Sequence, residues 1–135
     1  MALSFLDTNV LIRHFTQDNA QQSPKASAFL REIALGNQRV RLADTVVFET
    51  VFLLERSYKH PKAAIRANVL LLLTLPGVVL PGKERFRRVF DHYVNLNVSF
   101  ADAYHAVLME DEGITDIVTF DREFDRIPHV QRIEP

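Results

Sequence analysis

Apolar residues recur along this chain in two rhythms, short continuous runs and longer stretches at helical spacing. Leu3-Ser4-Phe5-Leu6 passes directly into Asp7-Thr8-Asn9, which predicts a buried strand ending at a helix start. Val10, Leu11 and Phe15 give that helix a short amphipathic face. Ser23-Pro24 opens a second helix with proline at its first position, and Gly36-Asn37 follows its end. Ala26, Phe29, Leu30 and Ile33 form its core stripe. Residues 40–43 read as a strand, after which Asp44 or Thr45 caps a helix running to about Tyr58. His60-Pro61 marks a break, residues 62–74 form a helix stopped by Pro76-Gly77, and 78–80 a short strand. In the helix over 83–96, Phe86, Val89, Phe90, Tyr93 and Val94 share one face. Ser99 caps a further helix to about Glu112, ended by Gly113. Residues 114–120 form a strand ended by Asp121, and a final strand falls over 130–133. Short apolar strands alternating with helices predict an α/β fold whose parallel sheet is covered on both faces.

Composition narrows the class. The 135 residues suit a single compact domain over 1–135, with no room for a second. A chain of this size buries roughly two-thirds of the surface its unfolded form exposes, and an apolar fraction of 47% supplies the core. With no cysteine, a disulfide framework, a thiolate zinc site and a cysteine nucleophile are all excluded, which suits a reducing cytoplasm. Met1 leads into a short run ended by Asp7, unlike a secretory leader. The longest apolar stretch, 69–75, is broken by Thr74 and stopped by Pro76, so a soluble protein without membrane contact is expected. Whether that leucine-rich stretch serves as core or interface stays open. The net charge of −1 lacks the basic excess common in nucleic-acid binders. A polyanion would have to be held by a local basic patch, by metal ions, or by both.

The carboxylates carry the candidate chemistry. Two strands end alike, 3–6 in Asp7 and 117–120 in Asp121, and open α/β sheets bind ligands at the carboxyl ends of their strands. Capping of the following helix explains each aspartate equally well when taken alone. Glu49 lies in Val46-Val47-Phe48-Glu49-Thr50-Val51-Phe52, a helix apolar on nearly every side. A carboxylate buried there would need an arginine or a metal to compensate it. Asp102 follows Ser99 at capping-box spacing, with His105 one turn on. Asp125, one turn after Asp121, is a further acid, and Arg126 beside it offers a local partner. Grouped acids suit Mg²⁺, which takes oxygen ligands and keeps several waters. They also reverse the local sign of charge toward a polyanion once a metal is held.

With these residues in place, the chain resembles the PIN-domain family, and within it the VapC-type toxin ribonucleases of bacterial toxin–antitoxin pairs. The resemblance rests on Leu6-Asp7-Thr8-Asn9, on Glu49, on Ser99-Phe100-Ala101-Asp102-Ala103 and on Thr119-Phe120-Asp121-Arg122-Glu123-Phe124, in order along the whole chain. It implies a three-layer α/β/α fold with a central parallel sheet, and Mg²⁺- or Mn²⁺-dependent endoribonuclease activity. It further implies a homodimer and a cognate antitoxin whose tail occupies the site. Metal binding falls on Asp7, Asp102 and Asp121, with Glu49 as ligand or as orienter of the attacking water. Thr8, Asn9 and Thr119 become hydrogen-bonders behind the carboxylates, and Asp125 shares the claim of Asp121 to the fourth position.

RNA would be held by Arg85 and Arg88, which with His92 form a polar stripe on the helix over 83–96, flanked by Lys83 and Arg87. Arg13, close after Asp7, is a second candidate. A merely solvated helix face explains the stripe as well, while phosphate contacts would fix position without reading sequence. The phenylalanines fall at core spacing and are not base-stacking platforms. Two rival functions stand beside the nuclease. An aspartate-based phosphatase would use Asp7 as nucleophile, but two residues on it has Asn9 rather than a second aspartate. A catalytically silent PIN-fold binding module would have no need of the set of acids.

Overall fold

The computed structural model describes residues 2–135. They form two compact units, one running to Lys83 and the other Glu84–Pro135. No helix among the described residues is long and apolar enough to cross a membrane.

In the first unit, strands β1 (Ser4–Phe5), β2 (Val40–Arg41) and β3 (Val78–Val79) make a parallel sheet in sequence order. Two helices connect each pair of strands: α1 (Thr8–Thr16) and α2 (Gln22–Ala34), then α3 (Asp44–Arg56) and α4 (Lys62–Leu73). Parallel neighbours require such crossovers, because a strand must return to the same end before pairing. Val40, Leu42, Val78 and Leu80 are buried where the sheet meets its helices. Each helix lays one stripe against them. On α3 the buried positions are Val47, Thr50, Val51 and Leu54, a spacing that puts them on one face. The leucine-rich stretch divides in the same way. Val69, Leu72 and Leu73 are buried, whereas Leu71 is 70% exposed and lines an apolar hollow with Phe15, Leu30 and Leu75.

The second unit begins within a 3₁₀ turn (Lys83–Arg85) and continues into α5 (Phe86–Asn95) and α6 (Phe100–Glu112). Strand β4 (Asp116–Val118), a second 3₁₀ turn (Arg122–Arg126) and β5 (Gln131–Ile133) complete it, β4 pairing parallel with β5. Phe86, Val89, Phe90 and Tyr93 face inward from α5, as their spacing requires. Phe100, the first residue of α6, is the centre of their contact. Its ring lies 4.8 Å from that of Phe90, 5.5 Å from Tyr93 and 6.2 Å from Phe86. Aromatic packing of this kind adds specific geometry to burial, and here it holds the first turn of α6.

Element boundaries agree with the hydrophobic rhythm to within a few residues, with two informative differences. The strand expected to be buried at 3–6 is exposed at both Ser4 and Phe5, Phe5 to 75%, because β1 is the edge of its sheet and only Leu6 after it is buried. The helix expected over 83–96 opens as a 3₁₀ turn because Lys83 bends back: its Nζ donates to the carbonyls of Leu75 at 3.0 Å and Val78 at 2.8 Å. Lys83 therefore closes the end of α4 and the start of β3, its amine taken up by their carbonyls.

Gly77 sits where the chain turns into β3. A Cβ there would meet the Gln38 carbonyl oxygen at 2.8 Å and Ile33 Cγ2 at 2.9 Å, while the Gly77 carbonyl accepts from Val40 N at 2.8 Å. The backbone neighbour cannot rotate away. Gly77→Ala should therefore destabilise the chain by about 1–3 kcal/mol, the usual cost of overpacking. Urea unfolding measures this, and an unchanged midpoint would refute the close approach.

Candidate active site

The second unit brings three carboxylates together. Asp102, Asp121 and Glu123 each place an oxygen within 4.8 Å of the other two. A chain of short hydrogen bonds holds them. Thr119 Oγ1 accepts from the Asp121 N–H at 2.9 Å, and Asp121 Oδ1 accepts from the Glu123 N–H at 2.8 Å. Glu123 Oε1 in turn accepts from the Ser99 N–H, and Ser99 Oγ accepts from the Asp102 N–H at 3.1 Å. Ser99 is the N-cap of α6, so the helix start and the acid group form one network. In a capping box the residue at Asp102 would reach back to the Ser99 N–H. Glu123 takes that donor instead, and the Asp102 carboxylate keeps the Ser99 hydroxyl beside its two acidic neighbours.

Electrostatics record the crowding. Partial burial raises the pKa of Asp102, the Ser99 hydroxyl lowers it, and the charges of Asp121 and Glu123 raise it again, leaving it above the ordinary 3.8. Hard oxygen donors packed this closely have the chemistry of a divalent-metal site. The residues present fit Mg²⁺ or Mn²⁺.

In the first unit, Asp7 is the N-cap of α1, and its Oδ1 accepts from the Thr8 N–H at 2.8 Å. Asp7 and Glu49 line one hollow of about 430 Å³, together with Asn9, Arg13, Ser57 and Tyr58. Glu49 is exposed, contrary to the apolar surroundings expected from its neighbours in sequence. The reason is the helix period: Val47, Thr50, Val51 and Leu54 face inward, and Glu49 shares the outer side with Phe52, which is 59% exposed. No burial penalty demands a counter-charge for it. The Thr8 hydroxyl, by contrast, is buried with no hydrogen-bond partner among the described residues. Arg13 edges the same hollow but is engaged, donating to both oxygens of Asp18 at 3.1 and 3.2 Å and to Gln22 at 2.9 Å. The Tyr58 hydroxyl also donates to Asp18 at 2.6 Å and is the largest cause holding that carboxyl below its ordinary pKa.

Other expected residues lie apart from these groups. Asp125 accepts from Arg132 Nε at 3.2 Å and is not among the three clustered acids. His105 is exposed beside a separate hollow with Glu112 and Asp116. Arg85 and Arg88 both reach Asp111, at 3.1 and 2.7 Å, so an acid of α6 balances the α5 stripe. His92 does not belong to a solvated stripe, for its Nε2 is fully buried. Glu123 is the acid the sequence reading passed over. Its signal was present two residues after Asp121, in the turn that Asp121 caps.

The pattern of the PIN domain family matches residues 4–130. The chain belongs to that family, and its parallel strands and six helices agree with the α/β fold expected. Among individual proteins, it is 24% identical over 125 residues to a VapC ribonuclease of Aquifex aeolicus strain VF5, covering 93% of this chain and 92% of that protein. A structural likeness is to Mycobacterium tuberculosis VapC20, described as a sarcin–ricin loop cleaving toxin. It has 23% identity, 99% coverage of this chain, 100% of the other, and a TM-score of 0.41.

The raised pKa of Asp102 has a consequence for stability. The folded state binds this proton more tightly than the unfolded chain does. Below 3.8 the group costs nothing, and above its raised value the ionised carboxylate destabilises the metal-free fold in full. Asp102→Asn should therefore raise the melting temperature at pH 7 in EDTA, and the gain should vanish as the pH falls toward 3.8. Saturating Mn²⁺ stabilises a protein by about 2.7 kcal/mol at a hundred times its dissociation constant; the variant should lose most of that response. Calorimetric melting with and without Mn²⁺ checks both signs, and equal responses in parent and variant would exclude Asp102 as a ligand.

Proposed function

We propose that this protein is a metal-dependent endoribonuclease, the toxin of a type II toxin–antitoxin pair, with both compact units serving one PIN-domain function. The observation that carries the reading is the group Asp102–Asp121–Glu123 on a chain of the PIN family. The alignment with a named VapC ribonuclease along nearly the whole of both chains supports it.

In this reading Asp102, Asp121 and Glu123 hold Mg²⁺ or Mn²⁺ in the second unit, and Asp7 is the catalytic carboxylate of the first. The chemistry a bound divalent ion supplies is charge neutralisation on the phosphodiester and activation of a water. Everything else belongs to side chains. Ser99 and Thr119 fix the acids through backbone hydrogen bonds, so little reorganisation is needed when charge develops. Thr8 donates its backbone N–H to one oxygen of Asp7 and fixes that carboxylate's direction. Glu49, exposed on the hollow that Asp7 also lines, orients the attacking water or accepts its proton. Arg13, at the edge of the same hollow, contacts RNA phosphate once it exchanges Asp18 for the substrate. Arg85 and Arg88 would have to leave Asp111 to do the same.

The same reading includes a cytoplasmic protein, a homodimer, and an antitoxin that supplies the opposite charge to the arginines. Exposed Leu71 and its apolar hollow of about 560 Å³ offer surface for a protein partner.

Incubation of the pure protein with total RNA tests the activity. Cleavage should require Mn²⁺ or Mg²⁺, stop in EDTA, and leave 5′-phosphate and 3′-hydroxyl ends. Asp7→Asn should slow it by roughly 10²–10⁴-fold, the range a positioned catalytic group contributes, with an unchanged circular-dichroism spectrum. A folded Asp7→Asn protein that cuts as fast as the parent would sink the assignment.

A further inference from the structure

A second cluster of metal-ligating side chains lies in the second unit, on different elements from the acids. His92 from α5, Glu110 from the last turn of α6, and His129 from the segment before β5 bring ligand atoms within 4.8 Å of one another. We infer that His92, Glu110 and His129 form a binding site for Zn²⁺ or a similar borderline transition-metal ion. The ion would tie α5, α6 and the C-terminal segment together.

The donor set separates this site from the carboxylate group. Two imidazoles and one carboxylate, with a fourth position open to water, suit Zn²⁺, whereas Mg²⁺ favours oxygen alone. Distance separates them as well. Glu110 lies eight residues beyond Asp102 on the same straight helix, about 12 Å along its axis.

The contacts at the cluster are those of ligands waiting for a partner. His92 Nε2 is buried with no hydrogen bond among the described residues, an arrangement that is unfavourable unless something occupies that nitrogen. The His92 and His129 rings lie 5.9 Å apart. His129 Nε2 is 3.7 Å from Glu110 Oε2 and 3.2 Å from the Ala106 carbonyl oxygen. Metal binding exchanges that long carbonyl contact for a stronger bond to the ion. Arg88 is 3.5 Å from Glu110 Oε1, the oxygen away from His129, so it can steady the carboxylate from behind while its own principal partner remains Asp111.

Calorimetric titration of Zn²⁺ into the full chain carrying Asp102→Asn and Asp121→Asn tests the site with the acid cluster reduced to Glu123. One equivalent should bind and raise the melting temperature. Adding His129→Gln should weaken binding by more than the roughly 10–100-fold that loss of an outer-shell partner costs a metal site. Glu110→Gln, at an exposed position, should weaken it too and guards against misfolding of a histidine variant. Co²⁺ in place of Zn²⁺ should show visible absorption bands that His129→Gln removes. Absence of Zn²⁺ binding in the double variant, or binding unaltered by either substitution, would overturn the site. RNA cleavage by the parent bears on neither outcome, so this inference and the nuclease reading fail separately.

Discussion

The organising interaction in both units is the hydrogen bond from a backbone N–H at a helix start to a side-chain oxygen. A helix leaves its first N–H groups without intrahelical partners. Here Asp7, Ser99 and Asp121 supply acceptors at the starts of α1, α6 and the second 3₁₀ turn. Capping uses one oxygen of each aspartate and fixes the direction of the other. The residues that close the elements are therefore also those whose carboxylates point where a ligand can use them. Structure and candidate chemistry draw on the same atoms, so a capping explanation and a functional one do not compete.

The acid group of the second unit shows what this arrangement costs. Three carboxylates share a small volume, and the raised pKa of Asp102 reports partial loss of water together with like charges nearby. Aromatic packing around Phe100 and the Thr119–Asp121–Glu123–Ser99 hydrogen bonds hold the acids in place against that repulsion. Such tension is common where a fold is shaped for a bound ion and not for its own stability. The histidine cluster at the far end of α6 is built differently, from nitrogen donors with one unpartnered buried atom. One helix thus carries parts of two clusters of metal-ligating side chains, eight residues apart.

Positive charge follows a similar logic of local matching. The chain is nearly neutral in total, and the arginines singled out for RNA are held by acids nearby, Arg13 by Asp18, and Arg85 and Arg88 by Asp111. Exposed pairs of this kind are held by little energy. The pairing keeps the basic residues from giving the protein a generally basic surface.

Local rules carried the sequence a long way. The period of apolar residues located every helix, the strand-to-aspartate endings located Asp7 and Asp121, and Ser99 announced its own cap. These features depend on neighbours a few residues apart, which the linear chain displays. The misjudged residues were those whose environment comes from far along the chain. Glu49 looked buried because its sequence neighbours are apolar, yet helix geometry turns it outward. Lys83 left its expected stripe because carbonyls of Leu75 and Val78 needed a donor, and His92 turned inward toward Glu110 and His129. Glu123 joined Asp102 because the turn after Asp121 returns to the start of α6, a closure between residues 24 positions apart. Periodicity and capping are properties of the sequence alone. Which acid stands beside which, and which nitrogen is left without a partner, was decided only when distant segments packed and competed for the same donors and acceptors.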